Sequence, residues 1–427
     1  RGRAMQHRAP ALEEPPAPRR PAGTAEGVVE ELASKNISLA QLIYFHNKFE
    51  QQGRISAETT AREVLRDIVV PETRKEQRCY VDTMVGTPKK AGSMVCHWWG
   101  ARFRDVVLAA AEHASGLLNR EELERKAFTG GLSPQAMERT FWLYLFAVNH
   151  HIDHARGQIL CQVDKSAQVV RHMSDLVVAL DAELATLTRI RCLAEIWDAL
   201  ASEKPVLCYG QLAPQLRNGI SACDVRCVQR CEATSPHDRD RILRRLEATV
   251  GLEAFNYKVA EAASQAVRRQ ALRLAVRGAA AADVRQLLAK RADPDAPLAP
   301  HGETALLRAA QLGRGELARA LLEARADPDR RCAGGWTALH LAVQLGNAEL
   351  AGLLLAARAD VNAASSSGRT ALAEAEERGH ARLAEALVAA GADQGARGHG
   401  GGGIPAQAAV PEPSHAAGPG QGGAGCP

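Results

Sequence analysis

Gly335-Trp336-Thr337-Ala338-Leu339-His340-Leu341-Ala342 is the stretch on which the fold turns, because it recurs. Gly302-Glu303-Thr304-Ala305-Leu306 lies 33 residues before it and Gly368-Arg369-Thr370-Ala371-Leu372 lies 33 after. A second marker, Ala292-Asp293, Ala326-Asp327, Ala359-Asp360 and Ala392-Asp393, recurs at 34, 33 and 33. In each unit Thr304, Thr337 or Thr370 is a residue type that opens a helix, since its hydroxyl can accept from a free backbone N–H. Small alanines on that helix let a second one approach. Gly313, Gly346 and Gly379 end it, as a left-handed C-terminal position prefers. The second helix carries Leu321-Leu322 or Leu353-Leu354, which no unit can bury alone, so the units must stack.

Period 33 with the G-x-T-A-L-H pattern resembles the ankyrin repeat, most closely over Trp336 to Asn362. The likeness covers residues 271–393 in about four units, of which the first, Ala271 to Pro294, is degenerate. The family usually has Pro where this chain has Ala305, Ala338 and Ala371. It has Gly where this chain has Arg291, Arg325 and Arg358, and Gly391 alone conforms. A non-glycine residue in a left-handed position costs on the order of 1 kcal/mol, so a stack of modest stability is expected. The resemblance implies an all-α solenoid that binds a partner protein along its concave face. The hairpin tips that line such a face are Asp295 to His301, Arg330 to Gly334 and Ala363 to Ser367. His301, Arg330, Arg331, Trp336 and Arg369 are the candidate protein-binding residues. Trp336 and Arg330 are the anchors, as Trp and Arg dominate hot spots, unless Trp336 only covers its own hairpin. Over residues 271–393 Arg plus Lys and Asp plus Glu number 15 each, which points away from a nucleic-acid groove.

Outward from the repeats, the composition sets bounds. With 427 residues, 46% apolar, the chain can bury more than one core. A net charge of +4 is too small for a nucleic-acid footprint. No apolar run is long enough to span a membrane. Ten scattered cysteines suit reduced thiols in the cytoplasm better than a disulfide framework. Residues 1–26 (Pro-rich) and 394–427 (Gly, Ala and Pro) are expected to be disordered. The leader is not a secretory signal. Because the chain starts at Arg1, either Met5 is the true start or the sequence is a fragment.

Residues 27–75 read as a helical extension, with helices over Val28–Phe49 and Thr59–Val69. Thr60 and Glu63 fit a capping box and Pro71 is expected to stop the second helix. Beyond it the texture alternates. Strand-like runs at Ser93–His97, Phe141–Val148, Leu176–Asp181, Pro205–Tyr209 and Ser221–Val228 are separated by helical ones at Phe103–Leu118, Ile159–Met173, Ile190–Leu200 and Arg239–Thr249. Alternation of this kind predicts an α/β domain on a doubly wound parallel sheet, flavodoxin-like, over residues 76–265.

Leu176-Val177-Val178-Ala179-Leu180-Asp181, followed by Leu187-Thr188-Arg189-Ile190-Arg191-Cys192-Leu193-Ala194-Glu195-Ile196, resembles the strand and helix of a Toll/interleukin-receptor (TIR) domain. Ser93 to Gly100 is similar to that family's first strand, and the likeness spans about residues 64–262. Thr188 and Arg191 stand where Ser and Trp are usual, and Cys96 replaces Ser. The resemblance implies an assembly domain that can self-associate or, in some members, cleave NAD. The catalytic carboxylate of such members falls on Glu195, near an oxocarbenium-like centre. His97, Trp98, Trp99 and Asn149, with His150 and His151, would line the pocket at the strand ends. NAD would be a substrate, and no resident cofactor is expected. The ordinary alternative is a solvated Glu195 on a domain without catalysis. The leading expectation is an interaction scaffold or signalling adaptor, with an NAD-cleaving hydrolase as the alternative.

Other constellations are weaker. His150 and His154, four apart and joined by His97, could bind a metal, as could Cys223, Cys227 and Cys231; a solvated loop and buried small side chains are the plainer readings, and no metal is expected. Cys96 or Cys192 beside His97 or His150 would be the cysteine-nucleophile reading, without a supporting motif.

Overall fold

The computed structural model describes residues 25–84, 86, 92–117, 119–151, 167–210, 212, 225, 227–233, 236–278, 281–298, 302–332 and 334–393. The leader 1–24 and the tail 394–427 lie outside them. The chain divides into two compact units: residues up to 278 with 289–293, and residues 279–288 with those from 294 on.

The first unit opens with α1 (Ala25–Ala33), β1 (Ile37–Ser38) and α2 (Leu39–Gln51). The single helix expected over Val28–Phe49 is therefore broken. Ser38 accepts from Gln41 N–H at 3.2 Å and donates its own N–H to Gln41 Oε1 at 3.0 Å, a capping box that restarts the helix. The capping box of Thr60 and Glu63 forms as read. Pro71 does not end its helix. A π-turn, Leu65–Val69, widens the backbone before it, and the helix resumes over Val70–Thr73. The wide turn makes room for the proline ring. The carbonyl four residues back, Asp67 O, accepts instead from Arg54 Nη2 at 2.7 Å.

The α/β core follows: β2 (Ser93–Cys96), α3 (Phe103–Ser115), α4 (Arg120–Thr129), β3 (Thr140–Leu143), β4 (Leu176–Leu180), α5 (Ile190–Ala201), β5 (Val206–Gly210), α6 (Pro236–Thr249) and α7 (Leu252–Arg277). The strand order is β1-β3-β2-β4-β5. The last four strands pair in parallel, and β1 is antiparallel to β3 through Ile37 opposite Phe141. The sheet is thus mixed where an all-parallel one was expected, because β1 arrives from the extension and covers the edge of β3. Every residue of β2 and β4 is buried, as central strands covered on both faces must be. Val95, Phe141, Leu143, Val177 and Tyr209 share one core with Leu42 and Phe45 of α2 and Val107 of α3. On the other face Trp142 Nε1 donates to Leu32 O of α1 at 2.7 Å.

One strand expectation is corrected. β3 ends at Leu143, which pairs with Val95 near the end of β2; beyond that register the chain turns into one helical turn, Tyr144–Ala147, that buries Leu145 and Phe146. Most of the run expected over Ser221–Val228 lies outside the described residues, and Val228–Arg230 at its end is a 3₁₀ turn. The start of the helix expected over Ile159–Met173 lies outside the described residues, and Ala167–His172 is 3₁₀.

The second unit is a run of paired helices: α8 (Ala281–Ala289), α9 (Ala305–Gln311) and α10 (Gly315–Glu323), α11 (Ala338–Gln344) and α12 (Ala348–Ala356), α13 (Ala371–Glu377) and α14 (Ala381–Ala389). Equivalent positions form buried columns, Leu317-Leu350-Leu383 and Leu287-Leu321-Leu354-Leu387. Of each leucine pair, then, the core takes one member. Ala309, Ala342 and Ala375 are buried where first helices pack. Asp295, Asp329 and Asn362 each accept, through a side-chain oxygen, from the backbone N–H of the next unit's Asp327, Asp360 and Asp393 at 2.9, 2.7 and 2.8 Å. The first expected unit has no separate leading helix. Ala271 to Arg277 forms the last turns of α7, which runs across the boundary set at 265–271.

Candidate functional site

The repeat face is built from hairpin tips. Gly335, at φ +73°, turns one of them; a Cβ there would stand 2.5 Å from Ser366 N, so the next tip packs directly on its backbone. Ser366 N–H donates to Gly334 O at 3.0 Å and ties the tips together. Trp336 is only 8% exposed and sits edge-on to His340 at 5.4 Å. It covers its own hairpin, so the structure corrects its reading as a partner-facing anchor. Arg330 and Arg331 are exposed on the same tip, with Arg330 Nε 3.6 Å from Asp327. Arg369 is largely buried and held by Glu374 at 2.8 Å and by Glu377. Its charge is spent within its own unit. His301 lies outside the described residues.

The second site stands at the carboxyl ends of the strands, where β2 is flanked by β3 and β4 and the strand order reverses. His97, Trp98 and Trp99 leave β2 there. Gly100 follows because a Cβ at that position would fall 2.0 Å from Trp98 Cη2. The Arg189 guanidinium lies 4.6 Å over the Trp98 ring, and Trp98 Nε1 is buried without a hydrogen-bond partner. Edge-to-face contacts run from His97 to Trp99 (5.7 Å), Trp99 to Tyr144 (5.7 Å) and Tyr144 to His150 (5.6 Å). Burial pushes His150 down to about 4 and keeps it neutral, and its Nε2 also lacks a partner. Asn149 is committed elsewhere: its amide donates to Gln77 O at 2.8 Å and its oxygen accepts from His151 N–H. His151 contacts Thr73 Oγ1 at 2.6 Å. His154 and Cys223 lie outside the described residues.

Glu195 is not a solvated helix residue. It is 5% exposed, on the face of α5 that meets the end of β2. Cys192, one turn earlier, sends its thiol toward His97 O at 3.7 Å. The ligand-type atoms of Cys96, Cys192 and Glu195 all lie within 4.8 Å of one another. Burial pushes Glu195 up to about 7, against the pull of its bond from Cys96 and of the Arg191 charge. Hydrogen bonding to Cys192, then burial, holds the Cys96 thiol protonated well above the usual range. That is opposite to what a cysteine nucleophile needs. Cys96 and Cys192 therefore pair with each other and with Glu195, not with His150. The spacing of Cys192 and Glu195 on one helix face was the available signal; the strand end that completes the group was not visible in it.

Two family comparisons bear on the repeats. Residues 301–333 match the model for the ankyrin repeat, and residues 326–397 match the model described as ankyrin repeats in three copies. The chain thus carries ankyrin repeats over residues 301–397, a class of module that generally binds protein partners. The degenerate first unit precedes the matched residues. No curated protein matches the chain. Among the described residues no helix is long and apolar enough to cross a membrane.

Proposed function

We propose that this protein is an interaction scaffold or signalling adaptor that acts in the cytoplasm and recruits a partner protein through its ankyrin repeats. The observation that carries the reading is the tip at Arg330 and Arg331: two exposed guanidinium groups on a hairpin made rigid by buried Trp336 and by its bond to the next tip. Rigid presentation lowers the entropy lost on binding. The arginines favour a partner with an acidic surface. Affinity capture with the full chain, repeated with Arg330→Ala/Arg331→Ala, tests it. The captured partner should bind at least tenfold more weakly, and unchanged affinity sinks this tip as the site. Trp336 is not the residue to replace, because its loss would disturb the hairpin itself.

A second reading concerns the α/β unit, and one observation favours it. The position that the TIR resemblance assigns to a catalytic carboxylate, Glu195, is buried beside the strand ends rather than solvated, with the rings of His97, Trp99 and Tyr144 along the same edge. On this reading the chain cleaves NAD, with Glu195 holding ribose hydroxyls and stabilising the charge that develops as nicotinamide leaves. Incubating the full chain with NAD decides it. Nicotinamide release that Glu195→Ala abolishes supports hydrolysis, and the absence of release rules it out.

A further inference from the structure

Among the described residues the buried carboxylates are Glu112, Glu195, Asp238 and Glu374. Three are matched by arginine: Glu112 by Arg273, Asp238 by Arg191 and Arg241, Glu374 by Arg369 and Arg378. Glu195 is matched by a thiol, from Cys96. A buried carboxyl group without a paired cation costs several kcal/mol on an order-of-magnitude scale. Here it is joined by two sulfurs, all three residues are buried, and their donor atoms fit inside 4.8 Å.

We propose that Cys96, Cys192 and Glu195 form a binding site for a thiophilic divalent cation of the zinc type. The donor set, two thiolates and a carboxylate, is one such a cation selects, whereas calcium and magnesium take oxygen ligands. Metal–sulfur bonds of about 2.3 Å and a metal–oxygen bond of about 2.0–2.2 Å place ligand atoms roughly 3.4–3.8 Å apart in a tetrahedron, a small closure from the arrangement seen. Binding forms two sulfur–metal bonds and one oxygen–metal bond; the two thiol protons, and the carboxyl proton wherever Glu195 holds one, pass to solvent. The resulting site carries one net negative charge. Arg191, whose positive charge acts on Glu195, and the N-terminal turn of α5, where Cys192 sits, both offset it. Three protein ligands leave a fourth coordination position open.

A carboxylate that ligates a cation has much of its negative charge neutralised and no longer offers it to a developing positive charge, so this assignment and the NAD reading make competing use of Glu195. The repeat-face reading is independent of both. The test uses the full chain, metal-stripped and reduced with a phosphine, titrated with Co²⁺ and then Zn²⁺. One equivalent of Co²⁺ should give thiolate-to-cobalt charge-transfer absorption that one equivalent of Zn²⁺ discharges. Cys96→Ser and Cys192→Ser should each abolish the band, and Glu195→Gln should weaken binding at least tenfold. Cys208→Ser, a buried thiol outside the group, should leave it unchanged. Should the cysteine variants fail to fold, X-ray absorption on the zinc-loaded parent must show two sulfur scatterers. The proposal is overturned if the parent takes up no Co²⁺, if the band survives Cys96→Ser, if the sulfur count differs from two, or if the reduced chain releases nicotinamide from NAD without taking up metal.

Discussion

Arg325 and Arg358 sit at φ +64°, in the left-handed region where glycine is usual, and Arg291 does the same in the first unit. The strain inferred from the missing glycines is present in the backbone. Arg358→Gly should therefore stabilise the repeats by up to about 1 kcal/mol, reduced by the greater entropy of an unfolded glycine. Urea unfolding of parent and variant measures it. His113 makes the opposite point, since no motif marked it. It is 1% exposed, with Nε2 3.0 Å from Ser93 Oγ and Nδ1 3.1 Å from Tyr209 Oη. Burial pushes it down to about 4. Below the unfolded value of about 6.5 the unfolded state binds the proton that the folded state refuses, so stability falls as pH drops from there toward 4. The loss should be on the order of 3 kcal/mol, from about 1.4 kcal/mol per pH unit. His113→Gln, which keeps a hydrogen-bonding side chain, should lose less over the same range in unfolding curves taken at pH 7 and pH 4.

At the scale of elements, the repeat helices owe their starts to one local device and their register to another. Thr304 and Thr370 accept from the third backbone N–H of α9 and α13, each at 3.3 Å. In α11 the device is extended. His340 Nδ1 accepts from Thr337 N–H at 3.3 Å, which leaves Nε2–H to reach Arg369 O of the next unit at 3.0 Å. One side chain thus caps its own helix and links two units. Thr337→Ala should cost about 1 kcal/mol, the usual loss of a cap. His340→Ala should cost more, because it leaves the buried Thr337 N–H without its acceptor, about 1–3 kcal/mol, and opens a cavity as well. Comparing the two by urea unfolding checks the order. The capping boxes at Ser38 and Thr60 show the limits of reading elements from sequence. The Thr60 box was legible because it sits at the head of an apolar run. The Ser38 box is hidden in the sequence because the apolar period continues across it, and the pairing of Ile37 with Phe141 is what takes those residues out of the helix.

For the molecule as a whole, the boundary between the units matters most. α7 belongs to the α/β unit to its end: Gln270 Nε2 donates to Gly210 O at 2.8 Å, Arg273 lies 4.6 Å over the Tyr209 ring, and Arg273 Nη2 stands 3.3 Å from Glu112, at ion-pair distance without hydrogen-bond geometry. A fragment ending at residue 265 removes Gln270 and Arg273 and leaves Glu112 buried without its cation. Breaking such a pair costs about 3–5 kcal/mol. Residues 25–265 should therefore melt well below residues 25–278, or fail to accumulate as folded protein, and thermal unfolding of the two fragments tests this.

The repeats were legible because ankyrin-type packing is local. Each helix pair, cap and glycine turn is fixed within one period, so spacing alone carried the stack, its strained arginines and the order of its helices. Alternating apolar runs likewise gave an α/β domain and the positions of β2, β4 and β5. The tertiary structure decided whatever depends on residues far apart in the chain. It made the sheet mixed by bringing β1 to the edge of β3, carried α7 past the expected boundary, and turned Trp336 inward so that Arg330 and Arg331 hold the exposed tip. It also placed Cys96 at a strand end against Cys192 and Glu195 on a helix nearly a hundred residues later. Spacing reports neighbours along a helix or strand, whereas a buried polar group is selected by what folding packs against it.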